Sequence, residues 1–220
     1  MTQRDELALL LEVRASVYGL LATLYLAPPT PELLATVSAP AFVAEWPLGR
    51  GTPGVDSALA SLAATLPGLA LEPLRQEFFR LFGALGPAAA PPWQSVYLDR
   101  ERVPFGEETE RVRQLFAQYG LALTERGRHA EDHIGLELQF LARLSARAAE
   151  RLAEGDEPGV QALLRGQRSC LEEHLLRWVD RFVRLVEEAS GGGGFYAAMA
   201  RLTLGCLRYD RDWLHQATRR

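Results

Sequence analysis

The sequence has 220 residues, of which 48% are hydrophobic and 24% charged, with a formal net charge of −4. All 24 residues counted as Lys or Arg are Arg. A chain without Lys has no Walker A lysine for phosphates, no Schiff-base amine and no kinase strand lysine, and its mixing of Arg with acids argues against a polybasic tract for membrane or nucleic acid.

Helical periodicity dominates the chain. Leu10, Val13, Val17, Leu20, Leu21 and Leu24 form an apolar stripe closed by Pro28-Pro29. The apolar run Ala15 to Ala27 is too short to span a bilayer, and the start of the chain lacks a basic targeting region. Short helices follow over 31–37, where Pro31 suits a first turn, and over 41–46. Residues 47–54 are a loop. Val55, Leu59, Leu62 and Leu66 mark the next helix, and Leu74, Phe78, Leu81, Phe82 and Leu85 another, stopped by Gly86-Pro87. Residues 86–92 are rich in Pro and Ala and read as a connector or hinge; 95–106 have no helical period and read as an ordered loop.

Val112, Leu115, Phe116 and Tyr119 recur at helical spacing, with Glu107, Glu108 and Glu110 in the first turn, where the helix dipole favours acids, and Gly120 as the stop. Asp132 is placed to cap a long helix carrying Ile134, Leu138, Leu141, Leu144, Ala148 and Leu152. After a turn at 155–159, helix runs over 160–189 with a break near His174, then a Gly-rich joint at 191–194 and a last helix over 195–215. The fold class is all-α, a compact multi-helix bundle forming one domain over 1–220.

The candidates for chemistry are few. Cys170 and Cys206 read as buried free thiols of a reducing compartment. His129, His133 and Glu137 share helical spacing, yet no partner motif completes a metal site. Ser95, His133 and Asp99 lack a nucleophile elbow, and Cys170 with His174 sits on an apolar helix face. Two features stand out instead. Asp132-His133 opens a long apolar helix, and Trp93 lies among Pro91, Pro92 and Tyr97 in a segment without helical period, where aromatic residues often serve as interaction surface.

These features occur in an ordered set: Glu77-Phe78-Phe79-Arg80-Leu81-Phe82-Gly83, then Pro91-Pro92-Trp93-Gln94-Ser95-Val96-Tyr97-Leu98-Asp99, then Phe105-Gly106-Glu107, then Glu131-Asp132-His133-Ile134-Gly135-Leu136-Glu137-Leu138, and lastly His174-Leu175-Leu176-Arg177-Trp178 through Phe195-Tyr196. The set resembles the TorD/DmsD/NarJ family of redox-enzyme maturation chaperones, above all its DmsD-like branch, over about Tyr18 to Tyr209. One departure is that His129-Ala130 stands where the family has Glu-Pro before x-Asp-His.

The resemblance implies a cytoplasmic, all-helical chaperone with no catalytic residues and no cofactor. Its partner would be the twin-arginine leader, and the body, of a molybdenum-cofactor oxidoreductase subunit, with export held back until the cofactor is inserted. It implies neither nucleic acid nor stable membrane insertion. The chain would be a monomer or a domain-swapped homodimer exchanging at the 86–92 connector. Leader binding would fall on Phe78, Leu81, Phe82, Pro92, Trp93, Tyr97, Gly106, Glu131, Asp132, His133 and Glu137.

A receptor for two arginines and an apolar run needs carboxylates beside an apolar groove. Between Asp99 and Glu137 nine acids face six Arg. The expectation is therefore that Asp132 and Glu131 meet the arginine pair, that Trp93 and Phe82 hold the apolar part, and that His133 orients Asp132 or titrates near neutral pH. The alternatives are a NarJ-like assembly adaptor that reads no leader, an enzyme built on His133 and nearby acids, and a helix-turn-helix DNA binder, which an acidic chain fits poorly.

Overall fold

The computed structural model describes residues 2–83, 87–99, 106–122 and 130–218. In chain order the helices are α1 (Gln3–Leu26), α2 (Pro31–Ser38), α3 (Pro40–Ala44), α4 (Pro53–Thr65), α5 (Leu71–Phe82), α6 (Gln94–Leu98), α7 (Glu107–Gln118), α8 (Ile134–Glu154), α9 (Glu157–Ser169), a π-helical turn (Cys170–Leu175), α10 (Leu176–Ala189) and α11 (Phe195–Ala217). Extended pairing among the described residues is confined to a single bridge between Trp93 and His133. The chain is all-α.

Local chemistry explains most boundaries. Pro31, Pro40 and Pro53 sit in first turns, where a missing N–H costs nothing, and the Thr30 hydroxyl accepts the Leu33 N–H at 3.2 Å. α5 ends earlier than the expected Gly86-Pro87: Gly83, at φ 77°, stops it in a conformation that side chains with a Cβ resist. The break expected near His174 is the π-helical turn, whose wider winding lets α9 and α10 follow without a loop. The segment read as a loop from Ser95 contains α6, too short for a 3.6-residue period to show.

Two compact units make up the chain. The first comprises Met1–Thr23, Trp93–Trp178 and Asp210–Arg220; the second comprises Leu24–Pro92 and Val179–Tyr209. In the second unit, Tyr25, Phe78, Phe82, Phe182 and Tyr196 form an aromatic core with edge-to-face and stacked pairs at 5.3–6.2 Å. The Tyr25 hydroxyl meets that of Thr203 at 2.9 Å. Ala89 and Ala90 donate backbone N–H groups to the carbonyls of Arg80 and Leu81, so the described part of the connector satisfies the end of α5. Residues 84–86 lie outside the described residues.

In the first unit, Phe116 stacks on Phe140 at 4.7 Å, and the Ser145 hydroxyl donates to Gln167 at 2.9 Å, joining α8 to α9. The buried face of α1 takes in half of the expected stripe, Val17, Leu21 and Leu24, and is turned from the other half. Leu11, Arg14, Val17 and Tyr18 are buried in this unit, whereas Leu10 and Val13 are only half-buried. The run from Ala15 is the second half of a longer helix. By length and composition α1 is long enough to cross a membrane, a test that a soluble protein's core helix also passes.

Arg14 has no exposure at all. Its Nη2 donates to Asp210 Oδ2 at 2.8 Å, the Tyr18 hydroxyl donates to the same oxygen at 2.7 Å, and the guanidinium lies 4.6 Å from the Trp213 ring centre. Removing one member of a buried ion pair strands the other, at a cost of about 3–5 kcal/mol. Asp210→Ala is expected to lower unfolding free energy by about that amount in urea titrations. Arg14→Met with Asp210→Leu should recover most of the loss; a double variant as weak as the single one would show that the charges stabilise the fold directly.

Candidate functional site

The site resolves from the turn that precedes α8. Asp132 is buried, although a carboxylate there must be fully hydrogen-bonded to be tolerated. Its Oδ2 accepts the Ser95 N–H at 2.8 Å, its Oδ1 accepts the Thr109 hydroxyl at 2.9 Å, and its backbone carbonyl accepts the Gln94 N–H at 3.0 Å. The first N–H groups of a helix have no partner within it. α6 carries no side-chain cap of its own, so Asp132 supplies it from 37 residues away. The negative charge also suits the positive end of a helix, and Thr109 ties in α7.

His133, not Asp132, is the N-cap of α8. Its Nδ1 accepts the Gly135 N–H at 3.1 Å, and its ring stands edge-to-face with Trp93 at 5.6 Å. Accepting that N–H leaves Nδ1 without a proton. Trp93 is half-buried, as are Val96, Tyr97 and Leu98 along α6. The Tyr97 ring lies 5.1 Å from that of Trp178, the bulkiest fully buried side chain. An aromatic rim is thus held in place by polar bonds beneath it.

Gly106 precedes α7, where a Cβ would stand 1.9 Å from Asp99 Oδ2. The missing side chain lets Asp99 reach the Glu108 N–H at 3.3 Å and cap α7. Glu108 is buried and accepts from Gln94 Nε2 at 2.5 Å, Arg111 at 2.9 Å and Arg177 at 3.1 Å, linking α6, α7 and α10. Gln94 also meets His174 Nδ1 at 3.3 Å, and burial pulls the His174 imidazole below its usual range. A cleft of about 300 Å³ opens here, lined by Arg111, Gln114, Leu115, Ser169, His174 and Arg177 among others.

The expected arginine receptors are otherwise engaged. Asp132 is inside the unit. Glu131 holds Arg113 through two oxygens, at 2.8 and 3.1 Å. Glu137 is completely buried, and its carboxyl is pushed well above the usual range, first by burial and then by Asp132, with hydrogen bonding to Trp178 offsetting part. Burial thus favours the protonated, neutral form of this acid. Phe78, Leu81 and Phe82, expected at a leader-binding surface, have exposures of 5%, 0% and 3% and lie in the core of the second unit, because the apolar face of α5 points inward. Pro92, which ends the first of that unit's two segments, is buried too.

Of the remaining candidates, Ser95 lends its N–H to Asp132, and Asp99 is occupied in capping α7, so neither pairs with His133 as a triad would require. Cys170 and His174 are both buried on the π-helical turn. His129 lies outside the described residues.

The nitrate reductase delta subunit family model matches residues 50–184. A Tat proofreading chaperone DmsD from Salmonella typhi is 34% identical over 210 residues, covering 92% of this chain and 89% of that protein. The chain belongs to the TorD/DmsD/NarJ family of redox-enzyme maturation chaperones. A chaperone protein TorD from Shewanella sp. strain ANA-3 is 26% identical over 212 residues, covering 93% of this chain and 95% of the other. In this family member the departure before Asp-His falls partly on Ala130, which is fully buried and accepts the His133 N–H on its carbonyl at 3.0 Å.

Asp132→Ala would leave two buried donors unmatched, and a hydrogen bond to a charged group contributes about 1.5–3 kcal/mol. Urea unfolding should show a loss of about 3 kcal/mol; no loss would mean that Asp132 does not hold α6. Glu137 gives a pH test. Its folded value lies above its ordinary 4.5, so the folded chain keeps a proton that the unfolded chain releases. That contribution is complete below the unfolded value and declines as pH rises, by up to about 1.4 kcal/mol per pH unit. The stability of Glu137→Gln relative to wild type should therefore climb as the pH rises above the ordinary 4.5, and a constant difference would refute the raised carboxyl.

Proposed function

We propose that the protein is a cytoplasmic chaperone that binds the twin-arginine leader of a molybdenum-cofactor oxidoreductase subunit and delays its export until the cofactor is in place. The observation that carries this reading is the rim of half-exposed Trp93, Val96, Tyr97 and Leu98, anchored from below by Asp132 and His133. Aromatic side chains fixed in place lose little entropy on binding, which suits a surface that must grip a flexible apolar segment. The similarity to a chaperone whose name includes Tat proofreading supports a leader as the ligand.

In this reading Asp132 and His133 are positioning residues. They fix the loop and helix that carry the rim and do not touch the leader. The protein makes and breaks no covalent bond; its work is a binding equilibrium that competes with export. A second reading, an assembly adaptor that grips an unexported subunit, is favoured by the match to the nitrate reductase delta subunit family. Purifying the tagged protein from its host and identifying the client by mass separates the two, since only one kind of client begins with a twin-arginine leader.

Calorimetry with a synthetic leader peptide tests the rim directly. Trp93→Ala should weaken binding by about 2 kcal/mol, with a smaller change in unfolding free energy. Affinity unchanged while the fold melts would make Trp93 a core residue alone.

A further inference from the structure

The leader-binding reading requires a carboxylate for the leader's arginines, and the three acids around Asp132 are unsuited to it. The second unit offers another. A cleft of about 220 Å³ lies among the turn joining α4 to α5, α5 itself and the start of α11. Pro67, Leu69, Pro73, Leu74 and Phe195 supply apolar walls, and Glu77 is the ionisable group among the described lining residues.

Glu77 stands next to Phe78 on α5 but is only half-buried. Its Oε1 accepts the Ser190 hydroxyl at 3.1 Å. Arg80, three residues further along the same helix, directs Nη1 to the Ala189 carbonyl at 2.7 Å. Among the described residues no hydrogen bond reaches the second oxygen of Glu77, and Gly194 puts no side chain beside the carboxylate, where a Cβ would already touch Oε1 at 3.5 Å. Burial pushes the Glu77 carboxyl up, with Ser190 and Arg80 offsetting part, and the buried Tyr196 phenol feels the same charge. An ionised carboxylate accepts about four hydrogen bonds, so one hydroxyl leaves most of its capacity open.

We propose that this cleft receives an arginine of the client's leader, with the guanidinium on Glu77 and the adjoining apolar residue against Pro67, Pro73 and Phe195. The inference rests on the leader-binding reading and adds the residue that reads the positive charge. Arginine fits because its planar fork matches a carboxylate and its weak hydration tolerates apolar walls. A bound guanidinium offsets the cost of burying the ionised acid, so binding and ionisation of Glu77 reinforce each other.

The test is calorimetry on the full chain with two synthetic peptides: a twin-arginine segment followed by an apolar run, and the same peptide with both arginines replaced by glutamine. Glu77→Gln should bind the arginine peptide about tenfold more weakly than wild type and bind the glutamine peptide equally well. Wild type should also lose its preference for arginine as the pH falls from 7 toward the ordinary carboxyl value of 4.5, which needs no variant. Equal losses for both peptides, no loss for either, or a preference indifferent to pH overturns the Glu77 assignment while leaving leader binding intact. A wild-type protein that binds neither peptide removes the leader-binding reading, and this inference with it.

Discussion

One buried carboxylate organises the first unit. Asp132 satisfies the N-terminal N–H of a five-residue helix that is too short to stand alone, bonds the hydroxyl of the next helix, and lies just before the start of a third. Short helices are marginal in water, and most of their stability comes from tertiary contacts. α6 therefore exists where Asp132 puts it, and the aromatic rim exists because α6 does. The charge is tolerated in the interior because its oxygens meet donors. The order of causes runs from a polar constraint to an apolar surface, the reverse of the usual helix that folds by burying its stripe.

The fold was largely legible because helices write their period into sequence. Eight long elements were found from apolar spacing and from Pro or Gly stops, with boundaries displaced by a few residues. α6 was missed since five residues hold little more than one turn. Only half of the buried face of α1 was read, because its buried set also includes Arg14 and Tyr18, which a reading of apolar residues passes over. The π-helical turn appeared only as a break, since one wide turn disturbs the 3.6-residue phase without announcing its shape.

Which motif residues lie together was legible, and how deeply each is buried was not. The residues quoted for the family resemblance do gather: Trp93 with His133, and Asp132 with Ser95. Their exposure was not readable, because an acid at a helix start looks the same in sequence whether it faces water or caps a neighbour 37 positions away. Phe78, Leu81 and Phe82 belong to a strongly amphipathic helix, and that pattern marks a core face as well as it marks a groove. Glu77 was within the quoted motif, yet nothing in its spacing distinguished a carboxylate in an apolar cleft from one on a solvated face.

The absence of Lys also takes on a structural meaning at Arg14. A buried lysine could release its proton and enter the interior neutral, whereas a guanidinium stays charged at any pH a protein survives. α1 must therefore wait for Asp210, 196 positions further along the chain, before this face can close. During synthesis on the ribosome the early helix keeps its apolar and cationic face uncovered while nearly all the remaining helices are made. A member of a chaperone family thus has, in its own first helix, a charged face that stays unmatched until its chain is almost complete.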